Sequence, residues 1–142
     1  MYESIVNKMD NKFYAVESSR ITEAQTELGI IFPKDLKCFY EEIGYGFLSS
    51  RMDNFNRIMD PNSICEFRQR DGQFANDPEL EMYVNYERDR LIFFEVCEGY
   101  FLSIGFAKRN NGKIYSGSKM IANSLEEFLI KYQANEMYFQ DK

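Results

Sequence analysis

Apolar residues recur along the chain with two different periods, and the switches between them outline the elements. Ile21, Ala24 and Leu28 lie at helical spacing. Leu36, Phe39, Tyr40 and Ile43 repeat it at i, i+3, i+4 and i+7, so Ile21–Phe47 predicts two short amphipathic helices. Thr22 and Gln25 have the T-x-x-Q spacing of a capping box, and Gly29 stands where a left-handed stop residue belongs. Pro33 suits the first position of the second helix, which Gly44 and Gly46 end. Leu91–Cys97 and Tyr100–Ala107 are aromatic-rich apolar runs joined by Glu98-Gly99, the pattern of central antiparallel strands. Asn111-Gly112 is a hairpin signal, because both residues tolerate positive φ, and Lys113–Ser118 returns as the next strand. Ser124 and Glu127 form an S-x-x-E box, and Leu125, Phe128, Leu129 and Tyr132 give a closing helix its buried face.

Shorter signals fill the intervals. Residues 3–9 read as a helix, 13–17 as a strand, and Tyr45–Leu48 and Asn56–Met59 as short strands. Asp60-Pro61 and Asp77-Pro78 each pair an N-cap with a first-turn proline, opening two short helices on either side of a loop at Asp71-Gly72. The expected fold class is α+β, with a central antiparallel sheet flanked by short helices. No repeat, low-complexity tract or linker interrupts it, so residues 1–142 are expected to form one domain.

Composition narrows the chemistry. No apolar run approaches the ~20 residues needed to span a bilayer, and the start, MYESIVNKMDNKF, lacks the features of a secretory signal. A cytoplasmic location without membrane association is the expectation. Cys38, Cys65 and Cys97 are odd in number and widely spaced, which favours reduced thiols over disulfides or a metal site. The sequence contains no histidine, which removes Ser-His and Cys-His nucleophile pairs and imidazole metal ligands. Neither a phosphate-binding G-x-x-x-x-G-K-[ST] loop nor a G-x-G-x-x-G after a strand occurs. Glu41-Glu42 and Glu126-Glu127 are adjacent on helices and do not face each other, and nothing sets Glu79 and Glu81 across a substrate. The expectation is therefore no enzyme, no cofactor and no metal.

Charge is distributed unevenly. Residues 60–100 carry ten acidic and four basic groups, whereas 101–125 carry Lys108, Arg109, Lys113 and Lys119 and no acid. An acidic region of this kind would speed encounter with a basic partner. The alternative is a set of ordinary solvated faces partly neutralised by their own arginines. Phe67, Phe74, Tyr83 and Tyr86 interleave with the acids. Phe67 and Tyr83, spaced with Ile64 and Leu80, read as core; Phe74 and Tyr86, near turns, are expected to be exposed. The candidate partner contacts are Asp71, Phe74, Asp77, Glu79, Glu81, Tyr86, Glu87 and Asp89. Direct nucleic-acid binding is disfavoured, because phosphate contacts require a basic stripe.

Glu27-Leu28-Gly29, Ile30 to Pro33, Leu36, Phe39-Tyr40 and Gly44-Tyr45-Gly46-Phe47 together resemble the signature of the SUKH superfamily (Smi/Knr-like). That superfamily groups bacterial immunity proteins with fungal regulators of cell-wall glucan synthesis. Glu98-Gly99, Asn111-Gly112 and Ser124 to Leu129 follow in the same order, so the resemblance spans roughly Ile21 to Tyr132. Ala24 departs from a place often acidic in relatives, and Arg68–Pro78 does not align. The resemblance implies an immunity protein that neutralises the toxic domain of a polymorphic toxin, commonly a nuclease or another nucleic-acid-modifying enzyme. The partner would then be a basic, nuclease-like toxin domain. A non-toxin regulatory scaffold, like the fungal members, is the other role the resemblance allows.

Overall fold

The computed structural model describes residues 1–140. Seven strands form one antiparallel sheet in sequence order: β1 (Lys12–Tyr14), β2 (Tyr45–Phe47), β3 (Arg57–Ile58), β4 (Arg90–Cys97), β5 (Tyr100–Gly105), β6 (Ile114–Ser116) and β7 (Lys119–Ala122). Five helices accompany it: α1 (Tyr2–Val6), α2 (Ser18–Leu28), α3 (Lys34–Glu42), α4 (Pro61–Gln69) and α5 (Leu125–Ala134). Registered partners on neighbouring antiparallel strands project to the same side. Ile58, Phe94 and Leu102 therefore share one face, and Arg57, Glu95 and Phe101 the other. On the first face Phe94 meets Phe128 and Tyr132 of α5 at ring distances of 5.2 and 5.4 Å, and α1 and α3 pack against the same helix. On the second face Phe101 meets Phe67 of α4, Phe74 and Tyr83 at 4.9, 5.9 and 5.6 Å. The sheet is thus covered on both sides, which explains why β4 buries consecutive residues from Leu91 to Phe94.

The α+β plan matches the expectation, and several local devices act as read. Gly29 ends α2 at φ 66°, with the Ile30 amide returning to the Gln25 carbonyl. Ser124 Oγ accepts from the Glu127 amide at 3.1 Å and caps α5, and the Glu127 carboxylate accepts from the Asn123 amide. Other devices differ. α2 begins at Ser18, so Thr22 lies inside the helix and donates to the Ser18 carbonyl instead of capping. Gln25 reaches past the far end of the helix, where its Oε1 accepts from the Phe32 amide at 2.8 Å. Pro33 is the N-cap of α3, one position earlier than expected. Asp60 precedes α4, but its carboxylate turns to Ser63 and Arg57.

Gly44 and Gly46 do more than terminate α3. A methyl group at Gly44 would lie 1.9 Å from the Tyr14 carbonyl oxygen, and one at Gly46 would lie 2.1 Å from that of Lys12. Both residues hold positive φ, 119° and 152°, and together they let β1 approach β2.

The link between β5 and β6 is longer than a two-residue hairpin. Residues 106–113 are organised by the buried Asn110, whose side chain accepts from the Ala107 amide at 3.0 Å and donates to the Asp89 carbonyl at 3.3 Å. Gly112 still takes the left-handed conformation, at φ 83°. The run Lys113–Ser118 is divided by Gly117 at φ 58°, and the chain returns as β7. Cys38, Cys65 and Cys97 are free thiols, and burial pushes that of Cys65 up to about 12. Among the described residues no helix is long and apolar enough to cross a membrane.

Candidate partner-binding surface

The acidic segment occupies the connection between β3 and β4. After α4, Arg70 turns the chain at φ 55° into three short 3-10 turns, Gly72–Phe74, Pro78–Tyr83 and Tyr86–Arg88. Aspartates start the first two: the Asp71 carboxylate accepts from the Gly72 amide at 2.8 Å, and that of Asp77 from the Glu79 amide at 3.1 Å. In the second turn Leu80 and Tyr83 face inward with the three-residue period of a 3-10 helix, which leaves Glu79, Glu81 and Met82 outward. Tyr83 ties the turn to the sheet: its hydroxyl donates to the Gly99 carbonyl at 2.8 Å and accepts from the Phe101 amide at 2.9 Å.

Arg70 holds the segment from within. Its guanidinium donates to the carbonyls of Phe67 and Leu80 at 2.6 and 3.2 Å and to both Glu87 carboxylate oxygens at 2.6 and 3.3 Å. The group also lies over the Phe67 ring at 4.9 Å. Burial pushes the Glu87 carboxyl above its ordinary value, and Arg70 only partly offsets this. Arg57 performs a similar task nearer the sheet, reaching Gln73, Glu95, Asp60 and Ser63.

The eight sequence-selected residues therefore divide. Asp71, Asp77, Glu79 and Glu81 are exposed. Phe74, expected at the surface, is buried at 6 % exposure between Phe67 and Phe101. Its ring closes the aromatic cluster beneath the segment, which corrects the expectation that a ring beside a turn faces solvent. Glu87 is also buried, as the partner of Arg70. Tyr86 is half-buried, with the Arg90 guanidinium 5.3 Å over its ring and Tyr115 at 3.7 Å from the same group. Asp89 is held by Arg109 at 2.6 Å and Arg90 at 3.5 Å. Cross-element pairing thus neutralises part of the charge counted in the segment. Among the described residues, Asp71, Asp77, Glu79, Glu81 and Glu98 form no ion pair.

Three further residues belong with this surface. Glu98 is exposed at the β4–β5 turn, and the Glu79 carboxylate lies close to the adjoining Gly99. Met82 and Val84 are exposed large apolar residues beside the acids, at 64 % and 46 %. Reading 78–84 with a 3-10 period would have placed Met82 outside. The remaining acid pairs serve local structure: Glu42 accepts from the N-terminal ammonium and the Glu3 amide, and Glu127 pairs with Lys131. A shallow cleft of about 420 Å³ at this segment is lined by Arg68, Arg70, Glu81, Val84, Glu87 and Arg88.

An antiparallel sheet with this helical arrangement, carrying its acidic connection between β3 and β4, is the α+β architecture of a known group. The profile of the SMI1 / KNR4 family (SUKH-1) matches residues 15–131, and the chain belongs to that family. At the level of single proteins, the chain is similar to a protein of Bacillus subtilis (strain 168) named "Immunity protein YxxD". The two are 41 % identical over 140 residues, covering 99 % of this chain and 95 % of the relative.

Proposed function

We propose that the chain is a cytoplasmic immunity protein that binds a cognate toxin domain and neutralises it by occlusion, without turnover. The observation that carries this reading is the identity, over nearly the whole length, to a protein named as an immunity protein. Asp71, Asp77, Glu79 and Glu81, with Glu98, supply unpaired charge, and Met82 and Val84 supply apolar area beside it. Such a combination steers a basic partner and then buries contact surface. A nuclease fits the charge, since a surface that binds phosphates is basic and is blocked by carboxylates held in its place. Phe74 and Glu87 act from beneath, by fixing the shape of the segment.

Co-expression with candidate toxin domains, taken first from genes neighbouring this one, tests the reading. Survival of the cells together with co-purification of the two proteins is the expected result. Continued poisoning with no complex, while both proteins are folded, would overturn it and favour a regulatory scaffold.

A further inference from the structure

The cleft beside the acidic segment carries the opposite charge to its surroundings. Of the groups lining it, Arg70 and Glu87 bond each other, Glu87 also acts on Arg68, and Glu81 is the other acid, so three guanidiniums share two carboxylates. Arg68 is half-buried, lies over the Phe106 ring at 5.4 Å, and spends one nitrogen on the Arg90 carbonyl at 3.2 Å. A guanidinium has five N–H donors in a planar fork, so the rest of its donor set is unspent. Arg88 is exposed and, among the described residues, its side chain makes no hydrogen bond or ion pair. Val84 adds an apolar wall. Burial lowers the Arg68 pKa, and Glu87 partly offsets this.

We propose that this cleft receives an aspartate or glutamate side chain of the partner protein, held by Arg68 and Arg88. The proposal rests on the toxin-binding reading and adds what the acidic surface cannot supply. Exposed carboxylates attract any basic surface, whereas a positive recess among them accepts only a partner with one acid at a matching place among its basic residues. A basic protein with another cation there would be repelled, which is how an interface rejects wrong partners. A planar fork bedded on an aromatic ring suits a carboxylate, which it grips through two parallel bonds. A nucleic-acid phosphate is the poorer occupant, because the phosphates on either side of it would meet the exposed Glu81 at the cleft.

The test has two arms. In the first, the protein alone is titrated with acetate while the arginine side-chain Nε resonances are followed by NMR. Saturable shifts at Arg68 and Arg88, absent at Arg51, are expected; no shift at either would overturn the site. In the second, Arg88→Glu and Arg68→Lys are compared with the wild type against the co-purified toxin domain. Arg68→Lys retains charge but loses the fork. We expect at least about tenfold faster dissociation for Arg88→Glu and a smaller increase for Arg68→Lys, with association no slower than for the wild type. Selection of toxin variants that rebind Arg88→Glu should recover an acid-to-base change. Dissociation within twofold of the wild type for both variants would overturn the proposal, as would Arg68-dependent binding of an RNA oligonucleotide. If no complex forms even with the wild type, the immunity reading fails, while the acetate arm still decides whether the cleft holds a carboxylate.

Discussion

Arg70 grips Glu87 through both of its terminal nitrogens, and this pair joins the end of α4 to the last of the three 3-10 turns. The Glu87 side chain is only 10 % exposed. Arg70→Met would strand a buried carboxylate and should cost about 3 kcal/mol, the low end for a buried pair because Arg70 itself is 27 % exposed. Combining it with Glu87→Met should return stability to within about 1 kcal/mol of wild type, measured by urea denaturation. Equal loss in the single and double variants would show that the pair itself contributes little.

The same pair predicts a direction with pH. Burial raises the folded-state pKa of Glu87 above the ordinary 4.5, and removing Arg70 raises it further. A carboxyl raised by folding destabilises once ionised. The part of the Arg70→Met deficit that comes from Glu87 should therefore be absent below about 4.5, grow as pH rises, and be complete above the raised value, while the part from the lost Phe67 and Leu80 carbonyl bonds persists at every pH. Glu127 runs the other way, because its bonds to Lys131 and the Asn123 amide lower its pKa. Its stabilisation is present above the unfolded value and is lost as pH falls through the folded one. The stability gap between wild type and Glu127→Gln should be visible at neutral pH and vanish in acid, as read by denaturation at several pH values.

Glycine substitutions separate backbone strain from collision. Gly29→Ala meets nothing within 4 Å and should cost only the left-handed penalty, about 1–2 kcal/mol. Gly46→Ala should cost more and release β1, because its methyl group would collide with the Lys12 carbonyl. Hydrogen exchange at residues 12–14 reports the release. Retained protection there would sink the account of how β1 is held.

Phe74 and the exposed acids should part company experimentally. Phe74→Ala removes a ring packed on Phe67 and Phe101 and should cost about 3–5 kcal/mol of stability. Glu79→Lys with Glu81→Lys should leave stability within about 0.5 kcal/mol per site, since both are exposed. The double reversal should instead slow association with the toxin domain and flatten its salt dependence, measured by stopped-flow mixing. An unchanged association rate would place the interface elsewhere.

Part of what rests on neighbours in sequence was legible, although the Thr22–Gln25 box failed because α2 begins earlier, at Ser18. Gly29, the Ser124–Glu127 box and the strands around Glu98-Gly99 each follow from a few consecutive residues. Phe74 and Glu87 were misjudged because their surroundings come from elsewhere: Phe101 lies across the sheet, and Arg70 stands 17 residues before its partner. Asn110 was invisible for a similar reason, since its value lies in bonds to the Asp89 carbonyl and the Ala107 amide. β7 carries a four-residue pattern, two positions exposed and two buried, that has no distinguishing period. Met82 escaped notice because the segment winds with a period of three.

β3 and β4 are neighbours in the sheet, yet the whole segment from α4 through the third 3-10 turn is threaded between them. The two ends of that excursion are fixed by the pairing of Ile58 with Phe94. A different excursion could replace it without shifting any strand, provided that it also lays an apolar underside on Phe101. On the proposed reading the fold works as a socket: exchanging this one cassette would rewrite partner choice, while the sheet that carries it stays in register.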